Sequence, residues 1–480
     1  MHDKNQSPDF SGFNAYQNNP FLELITLSMP KPVRDGFTRI GAWAGNADTL
    51  KLARLANENE PALHTHDAKG NRVDTVDFHP AWHALMLKGV ENGLHNSIWQ
   101  EDPKERGVRN LARATRLYMT AGVEMGHLCP LTMTCASVAA MSSNDSLLNE
   151  WLPKILSSKY DFTNRSMDQK QGVMIGMSMT ERQGGSDVRA NTTVARARGN
   201  GVWEIEGAKW FMSAPMCDAF MVLAQMDEGL GCFLVPRLLD DGKSNGFEFQ
   251  RLKNKLGNRS NASSEVEFKN SLGVLVGDPG RGIATIMEMV SFTRLDCAIA
   301  SSGLIRTGLA EAVHHCRHRS VFGDRLINQP VMQRVLADMV LDSAAATALA
   351  FRLATAFDRA PANPSEAAYA RLMTPVIKYW VCKMAPPLIY EAMECLGGNG
   401  FVETGNLARH YREAPLNAIW EGAGNVMCLD VLRVIGKSSE VVDTVLHGLH
   451  QDLGHDNASA FVDVIRSAGE MSESDPGGAR

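Results

Sequence analysis

Residues 179–188 read Met-Thr-Glu-Arg-Gln-Gly-Gly-Ser-Asp-Val and hold the most informative pattern in the chain. Gly184 and Gly185 can adopt backbone conformations, and allow a close approach of a ligand, that a side chain would prevent. Thr180 and Ser186 place hydroxyl groups on either side of the two glycines. Glycine-rich loops are usually turns, so these residues alone leave two interpretations open, a polar turn and a ligand-binding loop.

This loop lies where the hydrophobic periodicity of the chain changes. From about residue 35 to 165 the apolar residues recur at helical spacing, which predicts helices. The helical period returns after Gly282 and continues to about Gly436. Between these regions strands are predicted at 192–198, 202–206, 219–224, 232–236 and 264–268. The order of helices, strands and helices predicts an α+β fold.

Four segments follow from this pattern. They are an N-terminal helical domain (1–170), a β-domain that carries the glycine-rich loop (171–282), a C-terminal helical domain (283–437) and an acidic C-terminal tail (438–480). The tail contains eight acidic and two basic residues, a net charge of −6. Its last residues, about ten, are too polar to fold alone, and we expect the tail to be partly disordered.

Composition excludes several classes of protein. A chain of 480 residues with 44% hydrophobic residues can bury a large core. The net charge of −6 argues against attraction of the whole surface to polyanions and leaves room for a local basic patch. The nine cysteines are scattered and are expected to be reduced core residues. The N-terminus has no feature of a secretory signal or transit peptide, and no apolar run approaches the length of a membrane span, so we expect a cytoplasmic location and no membrane partner.

One stretch offers potential metal ligands. His64, His66 and Asp67 lie close together in sequence, but no other ligand pair has complementary spacing. We expect a polar loop with two ordinary histidines, and no metal site is predicted.

The string Met179–Val188 resembles the flavin-binding loop of the acyl-CoA dehydrogenases. Together with residues 251–263, Arg-Leu-Lys-Asn-Lys-Leu-Gly-Asn-Arg-Ser-Asn-Ala-Ser, it resembles the AidB branch of that family, the adaptive-response proteins induced by DNA alkylation. The similarity covers roughly residues 20–437. It implies the acyl-CoA dehydrogenase fold, with FAD bound in part by Met179, Thr180, Gly185 and Ser186.

Further elements follow in the order that this resemblance requires. Residues 209–213 are similar to the strand in which a tryptophan, here Trp210, packs against the isoalloxazine and a hydroxyl, here Ser213, lies near flavin N5. Without the resemblance, Trp210 would be interpreted as a core aromatic residue. The resemblance also implies that Arg319, Phe322, Gly397 and Gly398 reach an FAD held mainly by a neighbouring subunit. A guanidinium suits a pyrophosphate because its planar fork donates two hydrogen bonds. The resemblance thus implies an oligomer, and a homotetramer is expected because that is the usual state of the family.

Residues 417–425 resemble the loop that carries the catalytic carboxylate of the family, here Glu421. Trp420, Gly422 and Asn425 are the implied cofactor contacts in this loop. Another branch places its base directly before an arginine on the helix after the β-domain, but that position is Thr293, which cannot act as the base. Arg294 is then expected to pair with the Glu421 carboxylate or to orient it. Without the resemblance, Glu421 would be interpreted as a surface residue.

The resemblance implies dehydrogenation of a short or branched acyl-CoA, in which Glu421 takes the α-proton and FAD takes the β-hydride. Two alternatives stay open: a flavin-containing protein that binds and protects DNA, and a flavoenzyme that acts on alkylating agents.

The AidB resemblance also implies binding of double-stranded DNA through a basic C-terminal surface. The acidic tail does not supply such a surface. Either the DNA-binding portion is absent from this chain, or other basic residues make the contact, namely Arg409, Arg412, Arg433 and Lys437. A second basic cluster, composed of Arg251, Lys253, Lys255 and Arg259, is interpreted as a solvated hairpin or a flavin-domain feature.

Overall fold

The computed structural model of the protein describes residues 5–453. Its α-helices are α1 (Pro20–Ile25), α2 (Lys31–Ala44), α3 (Ala47–Glu58), α4 (Pro80–Glu91), α5 (Arg109–Ala121), α6 (Leu128–Met141), α7 (Asp145–Ile155), α8 (Gly282–His318), α9 (Pro330–Arg359), α10 (Pro364–Leu396), α11 (Gly398–Phe401), α12 (Asn406–Glu413), α13 (Gly424–Lys437) and α14 (Ser439–Leu453). Its strands are β1 (Ala62–His66), β2 (Arg72–Asp77), β3 (Ile175–Ser178), β4 (Val194–Gly199), β5 (Val202–Ser213), β6 (Ala219–Met226), β7 (Gly229–Pro236), β8 (Phe247–Leu252), β9 (Ser263–Val276), β10 (Ser320–Val321) and β11 (Asp324–Arg325).

The described residues form two compact units. The first, here called the helical unit, contains residues 5–45, 102–122 and 294–453. The second, here called the mixed unit, contains residues 46–101 and 123–293. The predicted order of helices, strands and helices is confirmed, whereas the predicted domain boundaries stay predictions.

The sheet of the mixed unit closes on itself. Its strand order is β3-β6-β4-β5-β9-β7, with β8 paired to β9, and β7 also pairs with β6. Strands β6 and β7 are almost continuously apolar and buried, as expected for strands covered on both faces. The turn between β4 and β5 places Asn200 and Gly201 at positive φ, the conformation that tight hairpin turns require.

The expectation of helices throughout residues 35–165 is wrong at one place. Strands β1 and β2 form an antiparallel hairpin, so His64 and His66 lie on a strand and not in a loop. The Asp67 carboxylate accepts hydrogen bonds from the backbone N–H groups of Lys69 and Asn71, which closes the turn. A turn stabilised by its own side chains can form a hairpin even though its strands are short and largely exposed.

In the helical unit, α10 packs against α9, α13 and α14. Helix α9 also contacts α5. Gly308 of α8 packs closely against α10, since a Cβ at this glycine would lie 2.7 Å from Ile389 Cδ1.

Helix α9 is an exception to the expectation that no apolar run reaches the length of a membrane span. Helix α9 is long and apolar enough by length and composition, with a mean hydropathy of 1.3 over its most apolar window. Of that window 44% is buried in the structure, and core helices of helical bundles pass the same test.

The segment predicted as an acidic tail begins with a packed helix. Val445 of α14 lies in one apolar cluster with Ala368, Leu372 and Val434. The last ten residues, for which disorder is expected, lie outside the described range.

Candidate functional site

The glycine-rich loop of the mixed unit is built around the buried carboxylate of Glu181. Its oxygens accept hydrogen bonds from the backbone and hydroxyl groups of Thr192 and Thr193, at 2.6–3.0 Å. The Lys209 ammonium lies 2.8 Å from Glu181 Oε1. Burial opposes ionisation, but Lys209 and the threonine donors outweigh it and hold the pKa of Glu181 far below its usual range. Burial lowers the pKa of Lys209 to about 8, although Glu181 opposes this shift. A single buried carboxylate therefore ties the loop to strands β4 and β5.

The loop lies against the predicted aromatic residue. The backbone N–H of Trp210 donates to the Thr180 carbonyl at 2.8 Å. Gly185 packs on Thr180, since a Cβ at this glycine would lie 2.5 Å from Thr180 Oγ1. The Met179 carbonyl accepts from the Asn191 side chain at 3.0 Å. Of the residues predicted to bind the cofactor in this unit, Met179, Thr180, Gly185 and Trp210 are therefore brought together by direct contacts.

The two remaining predicted residues of this unit are more open. Ser186 is exposed on the loop. Ser213 is half-buried at the end of β5, and its hydroxyl lies 3.3 Å from that of Ser263. The Lys255 ammonium donates to the same Ser263 hydroxyl at 3.0 Å.

The basic cluster of residues 251–259 is a feature of this site and not simply a solvated hairpin. The Lys253 ammonium lies 3.4 Å from the centroid of the Trp210 ring and 2.6 Å from Glu265 Oε1. The Arg182 guanidinium also lies above Trp210, at 4.9 Å. Cations near an aromatic face are attracted by its quadrupole. The sequence indicated a basic cluster but not its stacking on Trp210, because that contact joins positions 43 residues apart.

A separate candidate site lies in the helical unit, in the loop between Ala418 and Gly424. Glu421 has a positive φ of 57° and is followed by Gly422 at 100°. A non-glycine residue in this conformation costs about 1–3 kcal/mol and persists only where the surroundings enforce it. Arg294 supplies one constraint, since its Nε donates to the Glu421 carbonyl at 2.9 Å.

Two roles are expected for Arg294, pairing with the Glu421 carboxylate or orienting it, and the contacts of its guanidinium bear on this choice. Arg294 Nη1 forms a buried ion pair with Asp430 Oδ2 at 2.7 Å, and Arg371 lies 3.0 Å from Asp430 Oδ1. Burial raises the pKa of Asp430, but the two arginines outweigh burial and lower it below its usual range. Arg294 thus contacts Glu421 through the main chain, which favours the orienting role.

Lys378 of α10 is a residue of this site that sequence analysis missed. Its side chain is buried, and its ammonium donates to the carbonyls of Trp420, at 2.9 Å, and Gly422, at 2.6 Å. The Trp420 indole N–H donates to Asn417 Oδ1 at 2.9 Å. The available signal was a lysine within a mainly apolar helix, which does not identify a partner 42 residues further along the chain.

The other predicted residues of this unit are separated along it. Arg319 Nη1 donates to the Asn5 carbonyl. Phe322 is 99% exposed. A Cβ built at Gly397 or Gly398 would meet no atom within 4 Å, so both glycines face open space. Asn425 is exposed in the first turn of α13.

Two further predictions concern a metal site and a DNA-binding surface. Within residues 5–453 no group of three or more His, Cys, Asp or Glu side chains is arranged to hold a metal ion. Of the four basic residues proposed for DNA contact, Arg409 is buried, Arg412 pairs with Glu403, and Arg433 is exposed and lies 3.5 Å from Asp430. Lys437 is exposed.

Comparison with protein families accounts for most of the chain. Residues 5–162 match the N-terminal domain of the adaptive response protein AidB. Residues 176–271 match the acyl-CoA dehydrogenase middle domain, and residues 280–436 match the acyl-CoA dehydrogenase C-terminal domain. The fold and its two loops thus define an oxidoreductase of the acyl-CoA dehydrogenase class.

Comparison with individual relatives assigns the chain more closely within this class. The putative acyl-CoA dehydrogenase AidB of Escherichia coli is 46% identical over 454 residues, which cover 94% of this chain and 83% of that protein. Acyl-CoA dehydrogenase family member 11 of Caenorhabditis elegans is 31% identical over 92% of this chain and 74% of its own length. The crystal structure of Caenorhabditis elegans ACDH-11 in complex with C11-CoA superposes with a TM-score of 0.88 at 27% identity, covering 100% of this chain and 85% of that one. The chain belongs to the acyl-CoA dehydrogenase family and, within it, to the AidB branch.

Proposed function

We propose that the protein is an FAD-dependent enzyme that dehydrogenates short or branched acyl-CoA thioesters, with Glu421 as the base. The observation that carries this proposal is the conformation of Glu421: a carboxylate residue held at positive φ, with its own carbonyl fixed by Arg294. Strained backbone at such a position is typical of functional sites. The C11-CoA complex of the structural relative supports acyl-CoA thioesters as the general class of substrate.

The residues present fit FAD. A Cβ at Gly184 would meet no atom within 4 Å, and the same is true of Gly397 and Gly398, so these positions leave room for a cofactor against the backbone. Met179, Thr180, Gly185, Ser186, Trp210 and Ser213 of the mixed unit would hold it. When bound, FAD supplies the acceptor for the β-hydride of the thioester.

The chemical contribution of the chain is removal of the α-proton. Glu421 in its ionised form accepts that proton, which a base positioned within hydrogen-bonding reach accelerates by about 10²- to 10⁴-fold. Arg294 holds the backbone carbonyl of Glu421 and so limits the directions that its carboxylate can take. Arg294 is thereby a positioning residue in this reaction.

Assembly is part of the proposal. Phe322 is almost fully exposed, and the neighbouring Arg319 is the residue expected to reach the cofactor of another subunit. A homotetramer would cover this apolar side chain and complete each FAD site. The buried thiols, eight of nine cysteines, are consistent with a reducing cytoplasmic location.

The DNA-protective function is the second candidate. It is favoured by the match of residues 5–162 to the adaptive-response domain, and it would link the protein to the DNA alkylation response. It is weakened by the commitment of Arg412 and Arg433 to ion pairs. Binding of duplex DNA that falls steeply with salt would support it.

An anaerobic titration tests the first proposal. The purified flavoprotein is titrated with isovaleryl-CoA and with straight-chain acyl-CoA thioesters while the absorbance of the oxidised flavin is followed. Bleaching in the wild type and none in Glu421→Gln, with equal FAD content, is the expected result. Absence of bleaching with every thioester, or full bleaching in the variant, would contradict it.

A further inference from the structure

The loop that carries Glu421 is held by its main chain. Three consecutive carbonyls, those of Trp420, Glu421 and Gly422, accept hydrogen bonds from Lys378, Arg294 and Lys378 respectively. Both donors are cationic, and charge-assisted hydrogen bonds are stronger than neutral ones. The carbonyls on either side of Glu421 therefore share one donor, the Lys378 ammonium.

Lys378 is buried, and its ammonium is bonded to carbonyl groups instead of a carboxylate. Its side chain is 1% exposed. Arg294 is neutralised by Asp430, but within the described part of the chain no carboxylate lies within ion-pair distance of the Lys378 ammonium. A buried ammonium is costly, and a methionine of similar length would fill the same space without that cost. A purely space-filling role does not account for a lysine here.

The backbone of Glu421 explains what the lysine stabilises. Glu421 and Gly422 occupy consecutive left-handed conformations. Three successive carbonyls of this turn are partly buried, and a backbone carbonyl that loses its contact with water needs another hydrogen-bond donor. Lys378 satisfies two of them at once, and a glycine-like backbone is thereby imposed on a glutamate.

We propose that Lys378 is a second positioning residue for Glu421, which clamps the carbonyls of Trp420 and Gly422 and so fixes the direction of the intervening side chain. This inference rests on the proposed role of Glu421 as the base. It assigns no contact between Lys378 and substrate or cofactor. The consequence is that loss of the clamp reduces the rate of proton abstraction while leaving thioester binding nearly unchanged.

Two substitutions at Lys378 distinguish a loss of positioning from a loss of folding. Lys378→Met removes the donors and the charge but keeps the length of the side chain. Lys378→Arg keeps charge and donors and should recover part of the lost rate. Lys104→Met is the matched control, because Lys104 is an exposed lysine of the same unit.

Flavin reduction by the best thioester is measured under anaerobic stopped-flow conditions. For Lys378→Met we expect the limiting rate to fall by about 10- to 100-fold, the size of effect produced by small misplacement of a catalytic group. The apparent Kd for the thioester should change by less than about twofold, since a positioning role affects the reacting geometry more than binding.

Hydrogen exchange gives a readout that does not depend on activity. The amides of Ile419, Trp420 and Met427 bond within or next to the loop, so a peptide covering 416–427 reports its opening. Lys378→Met should increase exchange there and leave peptides from β4 and β5 unchanged.

The outcomes are distinguishable from failure of the proposed function. Faster exchange together with a slower limiting rate, partly restored in Lys378→Arg, supports the inference. Unchanged exchange, or faster exchange with an unchanged rate, overturns it. If no thioester reduces the wild-type flavin, the proposed function fails. The clamp is then judged by hydrogen exchange alone: faster exchange in Lys378→Met supports it, and unchanged exchange overturns it.

Discussion

Arg294 joins Glu421 to Asp430: its Nε donates to the Glu421 carbonyl at 2.9 Å, while its Nη1 lies 2.7 Å from Asp430 Oδ2. Asp430 is 3% exposed and also receives Arg371. The orientation of the candidate base thus depends on a carboxylate nine residues further along the chain, at the core-facing side of α13.

Asp430→Asn should destabilise the protein strongly. It leaves the buried Arg294 guanidinium without a counter-charge, and removal of one partner of a buried ion pair typically costs about 3–5 kcal/mol. Because the pKa of Asp430 is lowered in the folded state, its stabilising contribution is present above its unfolded pKa of about 3.9 and is lost as the pH falls through the folded pKa. The measurement is urea unfolding at pH 7 and at about pH 2, where the difference between wild type and variant should shrink.

The control for this variant is Asp338→Asn. Asp338 is exposed on α9, so the same chemical change should alter stability by less than about 0.5 kcal/mol. Equal stability of Asp430→Asn and Asp338→Asn would show that the buried pair does not organise this region.

Glu181→Gln should loosen the glycine-rich loop and reduce FAD content. The substitution leaves the buried Lys209 ammonium uncompensated and weakens the bonds from Thr192 and Thr193. A loss of about 3–5 kcal/mol in stability is expected. The double variant Glu181→Gln/Lys209→Met should recover part of it, because the uncompensated charge is then absent. FAD per protomer and thermal unfolding are measured for both.

Glu206→Gln is the appropriate comparison, since Glu206 also pairs with a cation, Arg196, but both side chains are more than half exposed. Exposed ion pairs contribute about 0–1 kcal/mol. FAD content that stays at the wild-type level in Glu181→Gln would refute the anchoring role.

The parts of this protein that sequence analysis predicted are those with local chemical signals. The hairpin turn at Gly199–Gly201 demands positive φ, and the helical periodicity after Gly282 extends over many turns. The roles of Glu181 and Lys378 carry no such signal, because each depends on a partner brought near by the fold. Lysine in an apolar helix and glutamate in a glycine-rich loop are each compatible with several environments.

The contacts of Arg294 are only partly predictable from the sequence. Its proximity to Glu421 follows from a resemblance between whole sequences, but its division between a carbonyl and Asp430 is a matter of side-chain geometry. The β1–β2 hairpin was missed because its strands are five and six residues long and mostly exposed, so they carry little hydrophobic periodicity.

Glu311 should make stability depend on pH in the opposite sense to Asp430. Burial raises the pKa of this carboxyl to about 7, with Arg409 opposing the shift. Since the folded state binds the proton more tightly than the unfolded state, the stabilising contribution is complete below pH of about 4.5 and is lost as the pH rises through 7. Glu311→Gln should therefore be more stable than wild type at pH 8, by up to about 3 kcal/mol, and similar to it at pH 4.5. Urea midpoints measured between these pH values test this, and a constant difference across the range would contradict it.

Arg319→Ala should weaken FAD binding without impairing the fold. In the chain itself Arg319 donates to the Asn5 carbonyl, a bond to a neutral acceptor near the N-terminus, whose loss costs about 1 kcal/mol. If the guanidinium also binds the pyrophosphate of a neighbouring subunit, its removal should raise the Kd for FAD by about 10-fold or more, as expected for a charge-assisted contact.

Arg317→Ala removes an equal charge from an exposed position two residues earlier and should leave the Kd unchanged. The Kd is measured by flavin fluorescence after reconstitution of the apoprotein, with the oligomeric state recorded in parallel. An equal Kd in Arg319→Ala and Arg317→Ala would confine Arg319 to its contact with Asn5.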